Sequence, residues 1–351
     1  MTIGYSVADA ALQERLDSGL AQVETLLRSS VQSEYPFVTQ ASRHLVDAGG
    51  KRFRPLLVLL AAEFGPNSGA GGAGGGGAGS AGGATRSDDP VAQDVLRAAV
   101  VVELTHLATL YHDDVMDEAD RRRGVDSANA RWTNSVAILT GDFLFSKASN
   151  ILADLGPEAV RIQAMTFERL VTGQIKESVG PASDRDAVDF HIEVLADKTG
   201  SLIATAGRFG AMFAGCDQAV IDTLTRFGEG IGVAFQLADD LVDLTSEDGQ
   251  SGKTQGTDLR EGVLTLPALL AIRSASAADA RLVSLLGRPL PDDDEHAEAL
   301  ELLLAHDAVA QARAEARRWA DAARSALASL PDIPARAELE RLCDFVVTRT
   351  A

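Results

Sequence analysis

Apolar residues recur at helical spacing along nearly the whole chain. The stretch Val91-Ala92-Gln93-Asp94-Val95-Leu96-Arg97-Ala98-Ala99-Val100-Val101-Val102-Glu103-Leu104 is typical. Ala, Leu, Val, Glu and Arg dominate, and no run alternates apolar and polar residues between hairpin turns. The pattern predicts an all-α bundle of many helices. Its punctuation lies at Gly49-Gly50, Gly156-Pro157, Gly180-Pro181, Gly249 to Gly262 and Pro289 to Asp294, the last read as a solvated acidic turn. Helices are expected to start at Pro55 and near Pro90. Between them, Gly69–Gly83 is almost wholly Gly and Ala and cannot bury enough side chain to offset its ordering entropy. It reads as a disordered surface loop inside one domain spanning 1–351, not as a phosphate loop. No period of 20–50 residues repeats.

Composition narrows the function. The chain has 351 residues, 46% of them hydrophobic, enough for a substantial core. A formal net charge of −19 makes it a poor partner for nucleic acid, so an anionic substrate has to be held by local basic clusters or by metal. Two distant cysteines, Cys216 and Cys343, fit reduced thiols and a cytoplasmic protein. Met1 to Ser6 show no export signal, and no stretch is expected to span a bilayer.

Two copies of one pattern then carry the chemistry. Asp113-Asp114-Val115-Met116-Asp117 and Asp239-Asp240-Leu241-Val242-Asp243 each end an apolar, helix-forming run. Positions i and i+4 share a helix face, so Asp113 stacks with Asp117 and Asp239 with Asp243. Stacked carboxylates repel unless a cation sits between them. All-oxygen ligands point to a hard cation, and Mg²⁺ favours a few carboxylates completed by water and substrate phosphate. The lead-ins are core-type residues rather than a solvated face. The reading is two aspartate walls gripping a diphosphate through Mg²⁺.

Cations for the anion follow. Gly49-Gly50-Lys51-Arg52-Phe53-Arg54-Pro55 places three cations at a helix N-terminus, where the macrodipole disfavours them unless an anion is bound. Arg121-Arg122-Arg123 lie a helical turn or two past Asp117, and Arg forks match phosphate oxygens. Lys198-Thr199 and Lys253-Thr254 add cations beside hydroxyls. His106, two turns before Asp113, shares its face, whereas His44, His191, His296 and His306 carry no such context.

With these motifs the chain closely resembles the trans-isoprenyl diphosphate synthases, or polyprenyl synthetases, of the actinobacterial long-chain type. The resemblance spans almost the whole chain: GGKRFRP at Gly49–Pro55, HLATLYHDDVMD at His106–Asp117, RRG at Arg122–Gly124, GDFLFSKA at Gly141–Ala148, KTGSL at Lys198–Leu202, FQLADDLVD at Phe235–Asp243 and GTDLREG at Gly256–Gly262. It implies an all-α fold around a central active-site cavity, a homodimer and three Mg²⁺. Carried over by motif, Asp113, Asp114, Asp117, Asp239, Asp240 and Asp243 form the metal site. Arg122, Lys198, Gln236 and Lys253 contact the allylic diphosphate, and Thr199 lines the reacting centre. Lys51, Arg54, His106 and Arg123 hold isopentenyl diphosphate. Val263 stands where many members carry Lys, and the Gly/Ala tract is not a family feature.

The implied reaction is successive condensation of isopentenyl diphosphate onto a geranyl, farnesyl or geranylgeranyl primer. Ionisation gives an allylic cation, the homoallylic double bond attacks it, and released diphosphate takes the proton. Product length is expected to follow the wall below Asp113, where Thr109, Ala108, Thr105, Val102 and Val101 include no aromatic ring. A helix from Val91 to His112 spans about 30 Å at ~1.5 Å per residue, with Phe143, Phe145, Met165 and Phe167 as candidate floor. A hexaprenyl to nonaprenyl product is expected, octaprenyl or nonaprenyl best, for the menaquinone side chain, with membrane contact at product release. A shorter farnesyl or geranylgeranyl product is the alternative. A class I terpene cyclase would lack the GGKRFRP element and carry a different second motif, and a non-catalytic partner subunit would have lost aspartates.

Overall fold

The computed structural model describes residues 7–66, 90–245 and 255–348. The Gly/Ala tract and Lys253 lie outside them. The described chain is all-α, as the periodicity requires. Its helices are α1 (Ala10–Ser30), α2 (Pro36–Asp47), α3 (Phe53–Ala62), α4 (Pro90–Met116), α5 (Ala128–Arg131), α6 (Asn134–Leu155), α7 (Pro157–Val179), α8 (Ala187–Leu195), α9 (Ser201–Phe213) and α10 (Gln218–Thr245). They continue with α11 (Thr257–Glu261), α12 (Leu266–Ser274), α13 (Ala280–Leu285), α14 (Asp293–Ala305), α15 (Asp307–Ala326) and α16 (Pro334–Thr348). Residues Ala196–Gly200, between α8 and α9, form a π turn.

Contacts divide the chain into two compact units. The first comprises Met1–Phe167, Leu202–Thr225 and Ser329–Leu339. Its axis is α4, apolar on nearly every side and therefore a core helix. Val100, Val101, Val102, Leu104, Leu107, Ala108 and Tyr111 are all buried. α1, α3 and α6 pack on α4. The approach of α6 depends on Gly141, where any side chain would run into the His112 ring and come within 3.0 Å of the Ala108 carbonyl oxygen. The Tyr111 hydroxyl ties α4 to α2 by donating to Ala41 O at 2.6 Å while accepting from Leu45 N at 3.2 Å.

The second unit comprises Glu168–Ser201, Arg226–Ala328 and Glu340–Ala351. Here Val233, Leu237, Leu241 and Leu244 of α10 form a stripe in one apolar cluster with Leu266, Leu269 and Leu270 of α12 and Ala308, Ala312 and Ala316 of α15. Burying each leucine contributes roughly 1.5–3 kcal/mol. The stripe fixes which face of α10 turns inward and so where Asp239, Asp240 and Asp243 point.

Three details refine the expectations. The acidic turn before α14 is an N-cap: the Asp292 carboxylate accepts from Asp294 N and Glu295 N, and acidic residues suit the positive end of a helix. A hairpin does exist, of two-residue strands β1 (Arg121–Arg122) and β2 (Val125–Asp126). Strands so short leave no alternation in the sequence. Lastly, α6 is long and apolar enough by length and composition to cross a membrane. Length and composition alone are weak evidence of a span, and one face of α6 packs on α4.

Candidate active site

The first acidic wall ends α4. Asp117 lies just past the helix, but its amide still donates to Asp113 O at 2.8 Å, so the stacked i, i+4 geometry reaches it. Asp113 is half-buried and Asp117 exposed, whereas Asp114 is fully buried. Asp114 faces the other way, as the ~100° step per helical residue dictates. Its Oδ1 accepts from Arg122 Nε at 2.5 Å, and Arg122 Nη2 lies 4.0 Å from Asp117 Oδ2. Burial pushes the Asp114 carboxyl above its ordinary range, opposed by the Arg122 charge and hydrogen bond. The hairpin therefore serves the site by folding Arg122 back onto the end of α4.

The tip of that hairpin feeds a cationic pocket. Arg123 and Gly124 both have positive φ, 53° and 80°. That is the geometry of a type I′ turn, costly for a residue with a Cβ. It sends the Arg123 guanidinium to the carbonyls of Leu45 and Gly49 and to within 3.6 Å of Glu103. Gly50 makes room, because a Cβ there would sit 2.8 Å from the Arg123 guanidinium carbon. Arg52, also left-handed at φ 50°, starts α3 and is buried against Glu24, Glu103 (2.8 Å) and the Val46 and Gly49 carbonyls. Arg52 is thus a structural latch. Arg54, next to it, keeps a buried Nε that no protein acceptor meets. Burial and the Arg123 charge pull Arg54 down to about 10 although Glu103 opposes them.

His106 faces this pocket from α4, half-buried. Burial, then the charges of Arg54, Arg123, Arg52 and Arg122, hold it well below its ordinary value, so its ring is neutral. An excess of guanidinium charge over carboxylate, beside a neutral imidazole donor, is a receptor for a multiply charged anion. Lys51 is exposed beside it. Glu103 and Tyr111, which orient the pocket and the wall, were not singled out by the motifs. Glu103 was legible as one carboxylate in an otherwise apolar run, ten residues before Asp113.

The second wall, on α10, has the same division. Asp239 is exposed, Asp243 half-buried and Asp240 buried. Asp240 Oδ1 accepts from Gln236 Nε2 at 3.1 Å, and Gln236 Oε1 accepts from Thr199 Oγ1 at 3.2 Å. His191, without sequence context, lies with Nε2 3.6 Å from Asp240 Oδ2. Asp243 Oδ2 accepts from Asp258 N at 3.1 Å and its carbonyl from Gly256 N at 2.8 Å, seating α11 on the wall. Lys198 is paired with Glu177 at 2.5 Å.

Among the described residues no three Asp, Glu, His or Cys side chains converge into a ready-made metal cage. Each wall presents two aspartates with accessible surface, a donor set that suits Mg²⁺ completed by water and substrate phosphate. The buried Asp114 and Asp240 each keep an Oδ2 without a hydrogen-bond partner. The residues fit a hard divalent cation on these grounds.

The family model for polyprenyl synthetases matches residues 35–303. The chain belongs to the polyprenyl synthetase family. It is 45% identical over 99% of its length to the nonaprenyl diphosphate synthase of Mycobacterium tuberculosis, covering 97% of that protein. Among solved structures it is similar to the geranylgeranyl pyrophosphate synthase of Corynebacterium glutamicum complexed with calcium and isoprenyl diphosphate (TM-score 0.83, 43% identity, 99% and 100% of the two chains covered). It also resembles a decaprenyl diphosphate synthase from Rhodobacter capsulatus (TM-score 0.82, 32% identity, 97% and 99% covered). The chain is accordingly a metal-dependent prenyltransferase of the trans-polyprenyl diphosphate synthase type, using isopentenyl and allylic diphosphates.

In this polyprenyl synthetase, α4 also carries the residues expected to govern product length. Thr105 and Ala108 have no accessible surface. Thr105 accepts from Gln163 Nε2 at 2.9 Å, and the Ala108 backbone packs on α6. Thr109 alone of the three exposes surface. Of the floor candidates, Phe145 meets Phe167 with ring centroids 4.5 Å apart and the rings tilted by 58°, and Phe143 lies under Lys147. Met165 is 59% exposed and so is no interior floor.

Proposed function

We propose that this chain is an all-trans long-chain polyprenyl diphosphate synthase acting as one catalytic domain in which two diphosphates are bound by different chemistry. The observation that carries the reading is their separation along α4. The accessible carboxylates Asp113 and Asp117 lie at and just past the end of the helix, while the guanidinium pocket around His106 lies two turns earlier. The allylic diphosphate goes to the aspartate walls, Asp113 and Asp117 with Asp239 and Asp243. Asp114 and Asp240 complete the metal site by holding Arg122 and Gln236 in place. Arg122, Lys198, Thr199, Gln236 and Lys253 supply the remaining contacts. Isopentenyl diphosphate goes to Lys51, Arg54, His106 and Arg123.

Three Mg²⁺, when bound, neutralise the allylic diphosphate and make it a better leaving group. The chain's residues do the rest. Arg122 and Lys198 stabilise charge developing on the departing group. Arg54 and Arg123 fix the homoallylic diphosphate, so that its double bond meets the allylic carbon rather than water. The buried apolar surroundings of α4 protect the cation. Thr109 lines the path of the growing tail with Ala108 and Thr105 behind it, and no ring closes that wall. An octaprenyl or nonaprenyl product serving as a menaquinone side chain is the reading, supported by the 45% identity to the nonaprenyl relative. The enzyme is assigned to the cytoplasm as a homodimer, with membrane contact limited to product release.

The test is purified protein with labelled isopentenyl diphosphate and geranyl, farnesyl or geranylgeranyl diphosphate. Mg²⁺-dependent products of forty or forty-five carbons are expected. Turnover that survives excess EDTA, or products that stop at twenty carbons, would overturn the metal or the length assignment respectively.

A further inference from the structure

Lys198 and Thr199 sit on the π turn Ala196–Gly200 rather than on a regular helix. Such a turn carries one extra residue. If it relaxed to α-helical spacing, the side chains around it would swing by ~100° relative to the rest of the helix. Where Lys198 and Thr199 point therefore depends on what holds the turn in its wider form.

Two elements of the second unit hold it. On α7, a Cβ at Gly173 would lie 2.7 Å from Lys198 N and 3.0 Å from Asp197 Cβ, so the turn rests directly on that helix backbone. On either side of Gly173, α7 sends out two cations that close on Asp197. Arg169 Nε donates to Asp197 Oδ1 at 3.0 Å, and Lys176 Nζ to Asp197 Oδ2 at 2.8 Å. Both carboxylate oxygens are engaged. The Asp197 carbonyl accepts from Ser201 Oγ at 2.6 Å. On α10, Glu229 receives Arg169 Nη2 at 2.5 Å, and its carbonyl lies 3.3 Å from where a Cβ on Gly200 would stand. Asp197 is thus the carboxylate on which the α7 cations converge, one residue before Lys198. Burial alone would push its carboxyl up, but the hydrogen bonds from Lys176 and Arg169 hold it below the ordinary range.

We propose that Asp197, gripped by Arg169 and Lys176, is the positioning residue that keeps the π turn in register and so sets where Lys198 and Thr199 meet the allylic diphosphate. Asp197 touches no substrate; it acts through its neighbours. The proposal rests on the prenyl-transfer reading for the identity of the ligand, but not for the clamp itself.

The experiment is a kinetic double-mutant cycle. Asp197→Asn and Arg169→Met should each raise KM for the allylic primer about tenfold, as small misplacements of binding groups do, while KM for isopentenyl diphosphate stays within about twofold. Arg169→Lys should retain most of the wild-type KM. Asp197→Asn combined with Lys198→Ala should lose clearly less than the sum of the two single losses, because the first acts in part through the second. Additive losses, equal rises in both KM values, or no change in either would overturn the clamp. Gly173→Ala provides a second route, displacing the turn without touching a charge, and should show the same selectivity. If the wild type transfers no prenyl group, the functional reading fails, and calorimetry with inorganic pyrophosphate then judges the clamp. Weaker binding in Asp197→Asn would uphold it, and unchanged affinity would sink it.

Discussion

Each acidic motif divides its aspartates by burial, and the division predicts two kinds of mutant. Asp113→Ala or Asp239→Ala removes an accessible carboxylate from the proposed metal site, so activity should be nearly abolished in a chain that still folds. Asp114→Ala strands the Arg122 guanidinium and leaves a hole at a fully buried site, so unfolding free energy should fall by about 1–3 kcal/mol alongside activity. Thermal melts beside rate measurements separate the two. Arg54→Ala should raise KM for isopentenyl diphosphate more than tenfold, since a charged hydrogen bond to phosphate is worth roughly 1.5–3 kcal/mol. A selective rise for the allylic primer would reverse the site assignment. His106 gives a pH signature. Its folded pKa is depressed, so below about 6.5 the unfolded chain binds more protons than the folded one, and stability falls as pH falls from there. His106→Gln should flatten that acid limb in urea unfolding between about pH 6.5 and 5. An unchanged limb would mean that the pocket does not depress the His106 ring.

At the scale of elements, α4 is the scaffold and, in the proposed reading, also the ruler, and its neighbours decide which side chains can do which job. The face bearing Thr105 and Ala108 is packed solid against α6 and α7, whereas Thr109 reaches accessible surface. Ala108→Phe should therefore overpack the interface with α6 and lower stability by about 1–3 kcal/mol. Thr109→Phe should place its ring in the tail's path at small stability cost. Mass analysis of dephosphorylated products should show the Thr109 variant stopping at farnesyl or geranylgeranyl length. If it makes the wild-type length at a good rate, the tail does not pass Thr109. The hairpin tip matters in the same way. Gly124→Ala at φ 80° strains the turn that aims Arg122 and Arg123, so both substrates should bind more weakly.

For the whole molecule, α6 and α7 leave large apolar side chains uncovered: Ile138 and Leu139 on the one, Val160, Met165, Ile175 and Val179 on the other. Leu139 is 65% and Val179 78% exposed, more than isolated surface leucines and valines need. The proposed homodimer assigns these faces to a second copy of the chain. Leu139→Glu with Met165→Glu should shift the sedimentation coefficient from dimer to monomer. A wild-type chain that sediments as a monomer at micromolar concentration would remove the dimer assignment.

Helical periodicity, the paired aspartate motifs and the glycine-flanked basic turn were all legible along the chain, because each depends on residues within a turn or two of one another. Stacking at i, i+4 places Asp113 with Asp117 whatever else the protein does. Contacts between distant segments were not legible. Nothing local distinguishes Arg52, spent on Glu24 and Glu103, from Arg54, whose Nε no protein acceptor meets. Nothing local shows that Asp114 is withdrawn from its motif by Arg122, or that His191 belongs with Asp240. The hairpin that delivers Arg122 and Arg123 has strands too short for alternation to register. The π turn differs from an α-helix by a single residue. The sequence alone determined the chemistry available to this protein, because chemistry resides in residue types and local spacing. Tertiary structure alone decided which of those groups remain accessible to substrate, because burial and ion pairing depend on which helices come together.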